Sequence, residues 1–347
     1  MRTGHFVEDH GKQVAISDSL VAWNWTAVLL AVCLLLPFVA SSFVLTLAIT
    51  IGISAIGAVG LNLLTGVTGL ISLGQAGFLA AGCYTTALLI ADYRWPPELA
   101  LLAAGLVSAL LSLIIGIPSL RLKGIYLAIT TLAFSFIVTH FLLYAEPLTH
   151  GPYGVRVQNV GFLGLNLAAL PQMYYLVLAI LILTSLAFLN LMRSRLGRAF
   201  FAIRDHDIAA RAMGIDLTTY KLSAFFASSF LVGIAGGLMA FQFRFVNVDL
   251  FNILLSIEAL AMIIVGGLGS LSGALLGAAF IVLLPELARA LTNLLPDLSA
   301  AFSTHIYDVR GLLTGLAIII TLRFEPLGLT GLWRRISRYW LHWPLST

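Results

Sequence analysis

The chain has 347 residues, of which 60% are hydrophobic and 10% charged, with a mean hydropathy of +1.02 and a net charge of +4. Soluble domains carry about 25% charged residues, so this chain lacks the charge to cover a soluble surface of its size. Most of its outer face must therefore meet lipid, and so small a net charge gives no case for nucleic acid as a partner. The two cysteines, Cys33 and Cys83, lie in apolar runs and read as small hydrophobes. No Cys/His cluster has metal-ligand spacing, so neither a metal nor a disulfide framework is expected.

Residues 1–19 are mixed polar, with Glu8, Asp9, Lys12 and Asp18, and do not have the pattern of a cleaved signal peptide. Between Asp18 and Asp92 run 73 residues without Asp, Glu, Lys or Arg, room for three spans of roughly 20 residues each. They are expected near 21–40, 42–64 and 68–90. Pro37 and Ser41-Ser42 separate the first two, and Gly66, Gly69 and Gly74 interrupt the helix between the second and third. Further spans are predicted near 99–119, 124–145, 172–191, 222–243, 252–266, 271–289 and 306–322. The fold class expected is thus an all-α polytopic membrane protein of about ten transmembrane helices with glycine-broken segments. The pair 252–266 and 271–289 also admits reading as one broken element.

Orientation follows from the cations. With both termini cytoplasmic, 14 of the 19 Lys and Arg fall inside and five outside, while the acids divide seven and seven, with Glu258 in a span. A cation bias with neutral acids is what the positive-inside rule describes. The six tryptophans, Trp23, Trp25, Trp95, Trp333, Trp340 and Trp343, fall near span ends and read as interface anchors. The organisation expected is a cytoplasmic segment 1–19, a membrane domain 20–332 and a cytoplasmic tail 333–347.

Two segments echo each other. Val67–Ala76 and Val265–Ala274 match at six of ten positions with a constant offset of 198 residues. Gly-interrupted helices at matching places in two halves point to a transport pathway, although chance among Gly, Leu, Ser and Ala produces similar matches. The glycines Gly69, Gly74, Gly267 and Gly269 let backbone leave helical geometry, and elsewhere glycine serves close packing. Near the first break stand Asn62, Ser72 and Gln75, which suit hydrogen bonds to a small zwitterion or polar ties between helices. Glu258 is the one acid deep in a predicted span. Such an acid lines a polar pathway or gate, or is a protonated structural group between helices.

The insertion from Arg193 to Lys221 is the longest polar stretch between spans, with six cations and three acids. Its middle predicts a short helix from Asp205, as N-cap, to Gly214 as stop. Ile208, Ala212 and Ile215 share one face at helical spacing. Arg204, Asp207, Ala209, Ala210, Arg211 and Gly214 are the candidate residues of a docking surface for a soluble partner; a plain solvated loop is the alternative. No Ser/His/Asp set, His-Glu-x-x-His or catalytic carboxylate pair stands out. The three lysines (Lys12, Lys123 and Lys221) occupy no phosphate-loop context, so no nucleotide site is expected on this chain.

Four stretches carry a resemblance. Gly60–Gly66 running into Gly69–Phe78, then Arg121–Phe134, then Ser194–Ala199 with Ala209, Ala210 and Gly214, and finally Ser256–Glu258 through Gly266–Gly273 resemble, in order, the permease subunits of branched-chain amino acid ABC importers of the LivM/LivH type, nearer to LivM. The family resemblance implies a pathway formed with a second, LivH-like permease subunit. It also implies two ATPase subunits at the cytoplasmic loops, a periplasmic substrate-binding protein, and no cofactor held by this chain, with ATP hydrolysed by the partner. It places the protein in a bacterial inner membrane. The chain departs from the family pattern at Leu148–Gly154, which includes His150 and leaves urea or short amides open as substrates. It departs again at Ile208, where the general ABC permease motif carries Glu. A stand-alone secondary transporter is the rival class, and it would require more intramembrane acids than Glu258.

Overall fold

The computed structural model describes residues 20–119, 122, 124–157, 161–162, 165–167, 169–293, 306–325 and 327–332. The polar N-terminal segment, Arg121, Lys123 and the 333–347 tail with its tryptophans lie outside the described residues.

Among the described residues, six helical segments are long and apolar enough to cross a membrane, and four shorter apolar helical segments stand beside them. The helices are α1 (Leu20–Val39), α2 (Ser42–Leu61), α3 (Gln75–Ala91), α4 (Pro97–Ser119), α5 (Ile125–Tyr144), the short α6 (Glu146–Thr149), α7 (Leu170–Arg193), α8 (Arg195–Asp205), α9 (Asp207–Ala212), α10 (Leu217–Phe243), α11 (Ile253–Gly266), α12 (Leu271–Asn293) and α13 (Ile306–Phe324). Each predicted span coincides with one of these helices. The sharpest difference is at the third, which begins at Gln75 rather than Thr68. The pair near 252–289 is two helices, α11 and α12, folded back on each other, not one broken rod.

The helix ends follow local chemistry. Pro37 lies in the last turn of α1 and cannot donate to the carbonyl four residues back. That carbonyl, of Cys33, accepts instead from the Tyr174 hydroxyl at 2.9 Å, and Leu34 O accepts from Tyr175 at 2.9 Å. Tyr174 of α7 thus takes up the carbonyl that the proline sets free, and Tyr175 bonds the one beside it. Ser41 caps α2, and Asp216 caps α10 by accepting from the Thr218 amide at 3.1 Å and from the Thr219 hydroxyl at 2.5 Å. These bonds, the Thr219 hydroxyl first, hold the Asp216 carboxyl below the usual carboxylate range.

The bundle is organised around α10, which packs on α2, α3 and α4. Small residues let these backbones meet, since lipid offers no hydrophobic drive between helices. A Cβ on Gly82 of α3 would run into the Gly233 carbonyl of α10, and one on Gly233 would stand 2.6 Å from the Ser108 Cβ of α4. Hydroxyls bond the same contacts: Ser108 donates to Phe78 O at 3.1 Å and Ser228 to Gly60 O at 2.7 Å. At one end of the bundle, β1 (Val155–Arg156) pairs antiparallel with β4 (Phe245–Val246), beside a hairpin of β2 (Gly161–Phe162) and β3 (Leu165–Asn166). At the other end lie α8 and α9. His150, in left-handed backbone, sits at the stranded end and contacts exposed Asp92 at 3.0 Å, a surface pairing of little energetic weight.

Gly82→Leu should overpack the α3–α10 contact and cost about 1–3 kcal/mol, seen as a lowered thermal midpoint in detergent. Gly315→Leu, in α13 where a Cβ meets nothing within 4 Å, should leave the midpoint unchanged.

Candidate translocation site

The first glycine break is built from an interrupted helix. After Leu61 the chain of α2 widens into a π-helical turn, Asn62–Val67, before it leaves helical geometry at 68–74. The Gln75 side-chain amide at the start of α3 donates to Gly57 O at 3.1 Å. Gly57 stands ten residues before Val67, so α3 starts about 15 Å back from the end of the helix that precedes it. Residues 68–74 make up that distance as non-helical backbone, a conformation that a membrane protein tolerates within the hydrocarbon region only inside protein or along a cavity.

Several polar groups of that backbone and of the turn that follows it have partners in the protein. Thr131 of α5 accepts from the Leu73 amide at 2.9 Å, Ser72 from the Gly74 amide at 3.3 Å, and Ser256 of α11 from the Ala76 amide at 2.9 Å. Thr68 returns its hydroxyl to Leu63 O at 2.9 Å, and the Leu70 amide donates to Leu64 O at 3.1 Å. Gly69 has φ +75°, a left-handed conformation that a Cβ would penalise. Ser72, expected as a candidate pathway residue, is buried and is used in this local turn.

The second break, residues 267–270, separates α11 from α12 and carries Gly267 at φ +124° and Gly269 at φ +77°. At the offset of 198 residues, Val67 corresponds to Val265 and Gln75 to Gly273, against an observed helix end at Gly266 and restart at Leu271. The two breaks therefore fall at corresponding places, and they touch. Asn62 donates to Ser270 O at 2.8 Å and accepts from the Gly269 amide at 2.8 Å. Asn62 is wholly buried, and its amide is spent on tying the breaks together.

Above the breaks lies a cavity of about 450 Å³ between α2, α3, α10, α11 and α12. Gln75 and Glu258 line it together with Thr46, Thr50, Ser54 and Gln242, and apolar Ile53, Leu79 and Met262 complete the wall. Glu258 is 3% exposed, on α11. Gln242 donates to Thr50 at 2.7 Å across the cavity wall. Near its rim, Arg289 and Glu286 form a pair at 3.1 Å. Because Phe43 and Thr46 stand at the start of α2, and Gln242 and Phe243 at the end of α10, the cavity lies toward the stranded end, away from α8 and α9. Of the predicted pathway residues, Gln75 and Glu258 thus meet at one cavity, Ser72 and Gly74 frame the turn before Gln75, Asn62 and Gly269 form the contact between breaks, Gly69 lies against Arg204, and Gly267 lies against Thr330 and Leu327.

The polar loop is more helical than expected. Asp205 is not an N-cap: it ends α8, and the short helix α9 starts at Asp207 after His206. The physical reason is that 195–205 has its own amphipathic face, with Gly197, Ala199, Phe200 and Ile203 buried, and its own cap at Ser194. On α9, Ala210 turns inward to pack with Ile203 and Leu217, while Ile208, Ala209, Arg211 and Ala212 are exposed, as are Met213 and Gly214 that follow it. Arg204 points the other way, and its Nη1 donates to Gly66 O at 2.6 Å. Composition gave no signal for Thr131, Ser256 and Gln242 as supports; only their positions in the folded chain reveal it. Among the described residues no group of three His, Cys, Asp or Glu side chains forms a metal site.

Asn62→Leu should orphan the Gly269 amide and the Ser270 carbonyl, at about 1–3 kcal/mol for each buried group left unpaired. The expected result is a lowered unfolding midpoint in nanodiscs, with the chain still inserted in the membrane.

The family described as "Branched-chain amino acid transport system / permease component" matches residues 43–322. The high-affinity branched-chain amino acid transport system permease protein LivM of Salmonella typhimurium is 36% identical over 285 residues, 75% of this chain and 67% of that protein. LivM of Escherichia coli matches to the same extent. A probable branched-chain amino acid transport permease protein LivH of Methanocaldococcus jannaschii is 28% identical over 293 residues, covering 81% of this chain and 90% of that one. No solved structure matches the chain. With multiple apolar helices, paired glycine breaks and this extent of similarity, the chain belongs to the family of branched-chain amino acid ABC transport permeases.

Proposed function

We propose that this chain is the membrane-spanning permease subunit of an ABC importer for branched-chain or similar small amino acids. In this reading all ten apolar helices cross a bacterial inner membrane, both termini are cytoplasmic, and residues 20–332 are the permease domain. A LivH-like second permease completes the pathway, a periplasmic binding protein delivers substrate, and two ATPase subunits supply the energy. The chain itself binds no nucleotide or other cofactor.

The observation that carries the reading is the opposition of two features. A cavity lined by an acid, amides, hydroxyls and aliphatic groups lies toward one end of the bundle. A short helix with exposed Ile208 (69%) and the adjacent Met213 (86%) projects at the other. The cavity has groups for an ammonium and a polar head beside a wall for a branched apolar tail. Large exposed apolar side chains outside the spans suit a protein partner.

The deciding experiment is reconstitution of the complex in liposomes with its binding protein, comparing leucine, urea and acetamide. Leucine uptake that requires ATP and an active ATPase pair supports the reading. Uptake driven by an ion gradient without the ATPase would sink it, and uptake of urea alone would reassign the substrate. Ile208→Glu combined with Arg211→Glu should release the ATPase pair on purification and lower uptake by about tenfold or more, with insertion unchanged. Glu258→Gln should lower uptake by about tenfold while the complex stays assembled; normal uptake and normal ATPase stimulation would remove Glu258 from the pathway.

A further inference from the structure

Arg204 belongs to the polar loop and is exposed overall, yet its guanidinium reaches the gap between the two glycine breaks. Its Nη1 donates to Gly66 O at 2.6 Å. Gly66 lies in the last turns of the π-helical extension of α2, where backbone carbonyls have no partner within the helix. The neighbouring carbonyls of Leu63 and Leu64 are taken by Thr68 and Leu70, and the guanidinium takes that of Gly66. A Cβ on Gly69 would stand 3.3 Å from Arg204 Cγ, and one on Gly269 would stand 2.8 Å from its Nη1. The arginine therefore lies against both breaks at once, stem on the first and head beside the second. Glycine at both positions makes room for it.

The breaks are joined there through Asn62, which bonds Gly269 and Ser270. Arg204 sits in the last turn of α8, one residue after Ile203, and Ile203 packs on Ala210 of α9. A displacement of α9 is thereby passed through a small apolar contact to the turn that holds Arg204. Beside the arginine is a pocket of about 280 Å³ lined by Thr68, Gly69, Gly124, His206 and Lys221, among others, which leaves space for the side chain to shift.

We infer that Arg204 is a positioning residue that clasps the two glycine breaks and transmits movement of α9 to the backbone beneath the cavity, distinct from the surface on which the ATPase docks. This rests on the permease reading above. The clasp adds one charge-assisted hydrogen bond, from Arg204 to Gly66 O, to the two amide contacts of Asn62, and releasing it loosens the break segments relative to each other while each helix stays intact.

The test uses the full reconstituted complex. Arg204→Met keeps the stem on Gly69 and removes the donor. It should leave the ATPase pair co-purifying at full ratio while stimulation of ATP hydrolysis by loaded binding protein falls by about tenfold, and uptake falls with it. Arg204→Lys, which restores one donor, should recover to within about threefold of the unmodified complex. Stimulation within twofold of normal in Arg204→Met would overturn the inference, as would loss of the ATPase pair, which would place Arg204 in the docking surface. A second measurement needs no variant. In the unmodified complex trapped with ATP, hydrogen exchange at residues 66–70 and 267–270 should change together with α8, and a change in α8 with none at the breaks would overturn it equally. If no ATPase pair ever binds the unmodified chain, the permease reading fails first, and the outcome is distinct from failure of the clasp.

Discussion

The constraint on which the structure turns is that backbone at membrane depth must find all its hydrogen-bond partners within the protein. Segment 68–74 is non-helical backbone between apolar helices, and side chains from other elements bond part of it and its surroundings. Thr131 comes from α5, Ser256 from α11, and Asn62 reaches the opposite break. Thr131 and Ser256 accept from amides that lack a helical partner, and Asn62 does the same for Gly269. The break is therefore not a weak point but a junction that draws several helices into fixed register.

The cavity follows from the same junction. Because α3 starts well back from the end of the π-helical extension at Val67, Gln75 reaches Gly57 in the last turns of α2 instead of packing beyond Val67. The space left above it is walled by α10, α11 and α12 and contains Glu258. An acid at 3% exposure is costly in hydrocarbon. Its position beside Gln75 and above two breaks with positive-φ glycines puts that cost where the backbone itself departs from regular helix. The close glycine contacts around α10 complete the frame by letting three helices approach it within backbone distance.

Much of this was legible in the sequence because it is local. A span is a run of apolar residues, and each predicted run became a helix. Glycines at 66, 69 and 74 announced an interruption, and the repeat at an offset of 198 residues announced a second one. The misplaced cap shows the limit of the same method. Asp205 precedes an alanine-rich stretch and fits an N-cap pattern, yet it ends a helix whose start is set by Ser194 and whose apolar face is anchored by Phe200 and Ile203. That face was hidden in a segment read chiefly for its charge.

What the sequence alone determined, then, is that the chain lives in lipid, where its helices run, and where two of them are interrupted, since apolar period and glycine content act over a few turns. What only the tertiary structure decided is which interrupted segments meet. Asn62 finds Gly269 across 207 residues, and Arg204 finds Gly66 across 138. No local pattern specifies such pairings. An amide or a guanidinium in sequence is only a set of donors and acceptors, and packing chooses the carbonyl that each one satisfies.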